Sequence, residues 1–107
     1  MRERTVESYF TRRAIAAGCT VRKVKWIGRR GCPDRVLMVP HKIPRGLAGV
    51  FGVALPPTVW VELKRPGEKP RGDQLREHQR MRDAGQTVFV IDSIPAVDAF
   101  FDTHFHA

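Results

Sequence analysis

Two apolar runs, TVWVELK at 58–64 and QTVFVI at 86–91, flank a twelve-residue amphipathic segment at 73–84. Both runs are rich in β-branched and aromatic residues and contain no Gly or Pro, so both read as strands. In the segment between them, Leu75, His78 and Met81 recur at helical spacing, and this predicts a helix packing on that stripe. Asp73 stands as N-cap or first-turn acid and Gly85 as the residue after the helix end. A strand, a helix and a strand in succession make a β-α-β crossover, whose two strands run parallel. The chain therefore belongs to the α/β class.

The remaining elements are arranged around that unit. Over residues 2–17, Val6, Tyr9, Phe10, Ala14 and Ala17 form an apolar helical stripe, and Gly18 ends the helix. Ile15 falls on the opposite side, either as a lone exposed apolar residue or as a partner contact. TVRKVKWI at 20–27 reads as a strand with Lys23 and Lys25 on one face, which suits a face that meets phosphates. Arg35 to Val39 is apolar on both faces, as in a central strand. Residues 40–57 hold four Pro and three Gly, which excludes one long helix there. This irregular insert is a substrate loop or a dimer contact, with a short extra strand at Val50–Leu55. Ser93 caps a last short helix packed through Val97, Phe100 and Phe101. His104 and His106 are a weak metal signal on a frayed terminus. The expected order is αβββαβ plus a C-terminal helix, a mixed sheet flanked by helices in a single domain over 1–107.

Charge narrows the partners. Residues 1–82 hold all 19 Lys and Arg with 7 of the 11 acids, a net +12; residues 83–107 hold four Asp and no Lys or Arg, a net −4. Such asymmetry points to a polyanion on a face built from the first 82 residues. No run of about 18 apolar residues exists to span a membrane, and the charged N-terminus lacks the apolar core of a secretory signal. A cytoplasmic location, in a bacterial cell or a phage-infected host, is expected. Cys19 and Cys32 have no zinc-finger spacing. Two free thiols are expected, with a disulfide as the alternative.

The chemistry centres on Trp60-Val61-Glu62-Leu63-Lys64. In a strand, Glu62 and Lys64 share one face and Val61 and Leu63 the other. Upstream, Gly31-Cys32-Pro33-Asp34 is a turn that brings a second acid to the mouth of a strand. Magnesium takes oxygen ligands and needs only one or two carboxylates. Asp34 and Glu62 meet that need if their strands are neighbours, and the Leu63 carbonyl adds a third oxygen. Lys64 then orients an attacking water or offsets developing charge. Alternatively, Glu62 and Lys64 are an ion pair and Asp34 closes an Asx-type turn. Glu7, beside the stripe of the first helix, is a solvated acid or points into a cleft at the edge of the core. Arg29 and Arg30 in a Gly-flanked turn, and Arg65, Lys69 and Arg71 in a second basic loop, join Lys23, Lys25 and Arg35 as candidate contacts to nucleic acid.

The runs RKVKWIGRRGCPDR at 22–35, VELKRPG at 61–67, Gln74, and VFVIDS at 88–93 together resemble the VRR-NUC domain. That is a branch of the PD-(D/E)xK nuclease superfamily found as short phage and bacterial proteins and inside larger DNA-repair nucleases. The resemblance covers nearly the whole chain. It implies metal ligation by Asp34 and Glu62, a catalytic Lys64, an N-terminal helical acid at Glu7 near the metal, and a supporting Gln74. It further implies Mg²⁺- or Mn²⁺-dependent cutting of DNA, with branched substrates such as four-way junctions favoured, and a homodimer. The chain departs from the family pattern in its longer 40–57 segment and in Arg71-Gly72-Asp73 where Ser-Pro usually opens the helix. A nucleic-acid-binding or assembly module with the same fold is the rival expectation.

Overall fold

A parallel strand pair joined through a helix forms one edge of the sheet. This computed structural model describes residues 3–40 and 55–105. The elements run α1 (Glu3–Ala16), β1 (Thr20–Lys23), β2 (Arg35–Met38), β3 (Thr58–Leu63), α2 (Gly72–Asp83), β4 (Val88–Ile91) and α3 (Ile94–Phe105). The four strands form one sheet in the order β1-β2-β3-β4. β3 and β4 are parallel, with Glu62 opposite Val90. The other two pairings are antiparallel. The fold is thus the expected αβββαβ core with a C-terminal helix.

One sheet face carries the core. Val59, Val61 and Leu63 of β3, Leu37 of β2 and Ile91 of β4 meet Val6, Phe10 and Ala14 of α1 and Val97, Phe100 and Phe101 of α3. The α1 stripe is fully buried at Val6, Phe10 and Ala14, where the alanine lets the chain come close to its neighbours. Phe10 lies 5.4 Å from Phe101 and 6.2 Å from Phe100, ring to ring. At the edge of this contact Tyr9 and Arg13 of α1 both donate to Asp98 of α3, and Arg13 reaches Asp102 at 3.0 Å. Two of the four C-terminal acids are therefore spent on holding α3 to α1. Cys19 and Cys32 are free thiols, and burial raises the Cys19 thiol to about 11.

Several local expectations are corrected. β1 ends at Lys23, and residues 24–27 leave the strand. The buried residues of α2 are Gln74, Glu77 and His78, while Leu75 is 54% exposed. Of the two roles expected of Asp73, the structure gives it that of the first-turn acid, with Arg71 at the cap position. Ser93 Oγ does accept from the Ala96 N–H at 3.1 Å and caps α3. His104 belongs to α3 and is buried against Phe89 and Phe100, not frayed; His106 lies outside the described residues. The suggested strand at 50–55 also falls outside them, except for Leu55. No helix among the described residues is long and apolar enough to cross a membrane.

Truncating Phe10 should leave a cavity at the junction of α1 and α3. Phe10→Ala is expected to lower stability by about 3–5 kcal/mol. Ile15→Gln, at a 65% exposed site, should change it by less than about 0.5 kcal/mol. Urea unfolding followed by circular dichroism, with an unchanged m-value, measures both.

Candidate active site

Strand register decides whether the predicted acids meet. β2 pairs with β3 through Arg35↔Val61, Val36↔Trp60, Leu37↔Val59 and Met38↔Thr58. One step further along this register sets Asp34 against Glu62, just beyond the last ladder pair. Facing residues of an antiparallel pair share a sheet face and stand about 4.5–5.5 Å apart at Cα. Two backbone contacts keep Asp34 there: its carbonyl accepts from the Val24 N–H at 2.9 Å, and its Oδ1 accepts from the Leu63 N–H at 3.4 Å. The N–H and C=O of one strand residue point the same way, so the Leu63 carbonyl also faces the Asp34 side. Glu62 and Lys64 are each only 6% exposed, on the face opposite the core. The Lys64 N–H donates to the Ile91 carbonyl at 2.9 Å, and this extends the parallel pairing to the lysine.

Arg35 was expected among the nucleic-acid contacts. It is instead 3% exposed and lies on the core side of β2. Its guanidinium pairs with Glu7 at 2.5 Å and with Asp34 Oδ2 at 2.8 Å. The apolar interior excludes a lone charge, so a buried guanidinium needs such partners. Glu7 does point to the site end of the core. Its carboxylate engages Arg35 and meets Asp34 through that cation.

The helix α2 closes the other side. The Gln74 Oε1 accepts from the Arg71 N–H at 2.9 Å, so part of its role is to cap a helix that lacks Ser-Pro at its start. His78 is fully buried, with Nε2 3.7 Å from Glu62 Oε1. Burial, with Arg82 and Lys64 nearby, pushes its pKa down, so the ring behind Glu62 is neutral at neutral pH. The helix-stripe reading placed His78 as packing only; its neighbour is a site acid.

The turn carrying Asp34 docks on α2. Gly31 has φ +81°, and a Cβ there would meet the Asp73 carbonyl oxygen at 2.6 Å, so glycine permits both the turn and the close approach. Glu77, which sequence reasoning passed over, accepts from Arg29 Nη2 at 2.6 Å and Nε at 3.2 Å, from Arg80 at 3.0 Å and from Cys32 Sγ at 3.7 Å. The hydrogen bonds from Arg29, helped by Arg80, hold the Glu77 carboxyl down at about 2 against the opposing effect of burial. Burial, and then Glu77, raise the Cys32 thiol, which keeps it protonated and donating. The signal for this clamp was an acid in register with His78 one turn after Asp73, on a helix facing a basic turn.

The remaining predicted cations are on the surface. Lys23, Lys25, Arg29, Arg30, Arg65, Lys69 and Arg71 are exposed. Arg30 and Arg71 lean on Asp73 at 3.8 and 3.0 Å, and Arg71 also feels the Glu62 charge.

Asp34, Glu62 and the Leu63 carbonyl offer only oxygen atoms, the ligand type a hard divalent cation takes. Among the described residues no group of three His, Cys, Asp or Glu is placed to hold a metal.

No protein-family model matches the chain. It is 35% identical over 105 residues to a protein named "Putative nuclease p44" from Acyrthosiphon pisum secondary endosymbiont phage 1, across 92% of this chain and 97% of that one. Among solved structures it is similar to a "VRR_NUC domain" at 36% identity and a TM-score of 0.72, with 94% of each chain covered. The chain belongs to the VRR-NUC domain nucleases. In this VRR-NUC domain the acids, the lysine and the polar face of α2 all lie at one end of the sheet.

The Glu77 clamp has a pH signature. Because folding depresses its pKa to about 2 from 4.5, its contribution is complete above pH 4.5 and is lost as pH falls toward 2. Glu77→Gln should cost about 1–2 kcal/mol at neutral pH, since its arginine partners are half exposed. The native and variant curves should converge in acid, as measured by urea unfolding across that range.

Proposed function

We propose that this VRR-NUC domain is a divalent-metal-dependent endonuclease that hydrolyses phosphodiester bonds in DNA, with branched or otherwise structured DNA as its preferred substrate. The observation that carries the reading is the β2–β3 register, which sets Asp34 against Glu62 with Lys64 next along the same face. The preference for branched DNA, and a homodimeric state, are taken from the family resemblance.

Asp34 and Glu62 would hold Mg²⁺ or Mn²⁺, with the Leu63 carbonyl as a further oxygen. The bound ion supplies charge neutralisation at the phosphate and lowers the pKa of the attacking water. The chain's own residues do the rest. Arg35 fixes one carboxylate oxygen of Asp34 and leaves Oδ1 toward β3. Glu7 balances Arg35, so that the guanidinium does not cancel the charge Asp34 presents. His78, its pKa lowered by burial, backs Glu62 from α2. Lys64 is held by its backbone to β4 on the face of Glu62. Its ammonium orients the water and offsets charge as the phosphorus gains its fifth oxygen. The buried setting makes each of these electrostatic interactions stronger than in water. The exposed basic residues Lys23, Lys25, Arg30, Arg65 and Lys69 would neutralise phosphates on either side, so binding should weaken with salt.

The test is cleavage of a four-way junction and of a linear duplex with Mg²⁺, Mn²⁺ or EDTA. Chelation should abolish cutting, and the junction should be cut faster. Lys64→Met should lower kcat by about 100- to 1,000-fold, with DNA affinity in EDTA little changed. Glu62→Gln should remove metal-dependent activity and weaken Mn²⁺ binding measured by titration calorimetry. Cutting that survives both substitutions would refute the assigned site. Salt-dependent binding of DNA with no cutting by the native chain would instead indicate a binding module.

A further inference from the structure

The sheet face bearing Glu62 is covered by α2 along β4 and is open toward β1. Thr20, Arg22, Met38 and Thr58 share that face by register and are exposed. In this open area lie the chain's only two tryptophans. Trp60 is two residues before Glu62 on the same face. Trp26 leaves the end of β1 and lays its ring against Trp60, with centroids 5.3 Å apart.

Both rings are fixed by their polar edges. Trp26 Nε1 donates to the Pro33 carbonyl at 2.8 Å, and Trp60 Nε1 donates to Gln86 Oε1 at 3.0 Å. Trp26 is therefore held by the same turn that delivers Asp34. Trp26 nonetheless stays 37% exposed. Covering Trp60 alone would require only an aliphatic side chain, whereas an immobilised indole offers a flat π-face. The surroundings are cationic: residues 22–30 contain no acid, and Arg22, Lys23 and Lys25 are exposed, while Arg29 and Arg30 beyond them lean on Glu77 and Asp73 of α2. Aromatic faces set in a basic track bind unpaired nucleic acid, because bases stack on the rings while cations hold the phosphates. Bases inside a duplex are already stacked and do not offer a free face.

We propose that Trp26, backed by Trp60, is a stacking platform for an unpaired nucleobase of the DNA substrate beside the Asp34–Glu62 site. The proposal rests on the nuclease reading for the nature of the polyanion and deepens it. The feature recognised is a single-stranded or splayed segment next to the phosphate that is cut.

Because the chain has no other tryptophan, fluorescence excited on the red edge of the indole band, where Tyr9 does not absorb, reports on this pair alone. The full chain in EDTA would be titrated with an oligothymidylate and with a blunt hairpin duplex. The oligothymidylate should quench the fluorescence saturably, and the duplex should do so much less. By anisotropy of labelled oligothymidylate, Trp26→Leu should weaken binding about 5- to 150-fold, while Trp26→Phe should stay within about threefold of the native chain. Leucine preserves the apolar cover over Trp60, so a packing role would make the two variants equivalent and would overturn the proposal. Binding without quenching would overturn it as well. So would an emission spectrum that changes with protein concentration in the absence of DNA, because a second copy would then occupy the platform. Glu62→Gln separates the two readings. If quenching persists in that variant while the native chain cuts no DNA, the platform stands and the nuclease reading falls. If the native chain cuts DNA but is not quenched, the reverse holds.

Discussion

A single buried guanidinium joins the helical layer to the end of the sheet that bears Asp34 and Glu62. Arg35 sits between α1 and β2 with almost no solvent contact, and it is stable there only because Glu7 and Asp34 both pair with it. Removing either acid would leave a buried cation short of a partner, which is far more costly than losing a surface pair. Asp34 is therefore held at three points: its carbonyl by β1's continuation, one carboxylate oxygen by β3, and the other by Arg35. Without that restraint, an acid at the mouth of a strand would turn outward to water or close on its own backbone.

The same logic explains why α2 buries polar residues. Its inward side meets not the apolar core but the sheet face that carries Glu62 and Lys64, together with the basic turn ahead of Asp34. Gln74, Glu77 and His78 suit that neighbour: an amide that caps the helix, a carboxylate that grips Arg29 and Cys32, and a neutral ring beside Glu62. An aliphatic stripe in their place would leave the turn carrying Arg29 and Cys32 without an anchor.

This is also why the sequence was legible on one side of the sheet and not on the other. The α1 stripe, the β-α-β crossover, the Ser93 cap and the Phe100–Phe101 pair all lie where burial is apolar, and there hydrophobic period reports the buried face. On α2 the same reasoning chose Leu75 over Gln74 and Glu77, because hydrophobicity does not mark a helix face that seals a charged cleft. Arg35 was misplaced for a related reason. A cation in a basic segment reads as surface unless its acids are known, and Glu7 is 28 positions away in the chain. Asp34, Glu62 and Lys64 could be placed together because each sits at a fixed position relative to one of two neighbouring strands. Trp26 could not, since its position depends on β1 ending at Lys23 and the chain turning back over Trp60.

The alternation along β3 ties stability to function. Val59, Val61 and Leu63 are anchored in the core, so Trp60, Glu62 and Lys64 must emerge on the opposite face. A slip of one residue would exchange the two sets, placing a carboxylate and an ammonium against Phe10 and Phe101 and three aliphatic side chains under α2. The apolar core thus selects the register, and the register that satisfies the core is the one that brings Glu62 opposite Asp34. The site needs no separate device to align its two acids: the packing of α1 and α3 on the far face of the sheet does it.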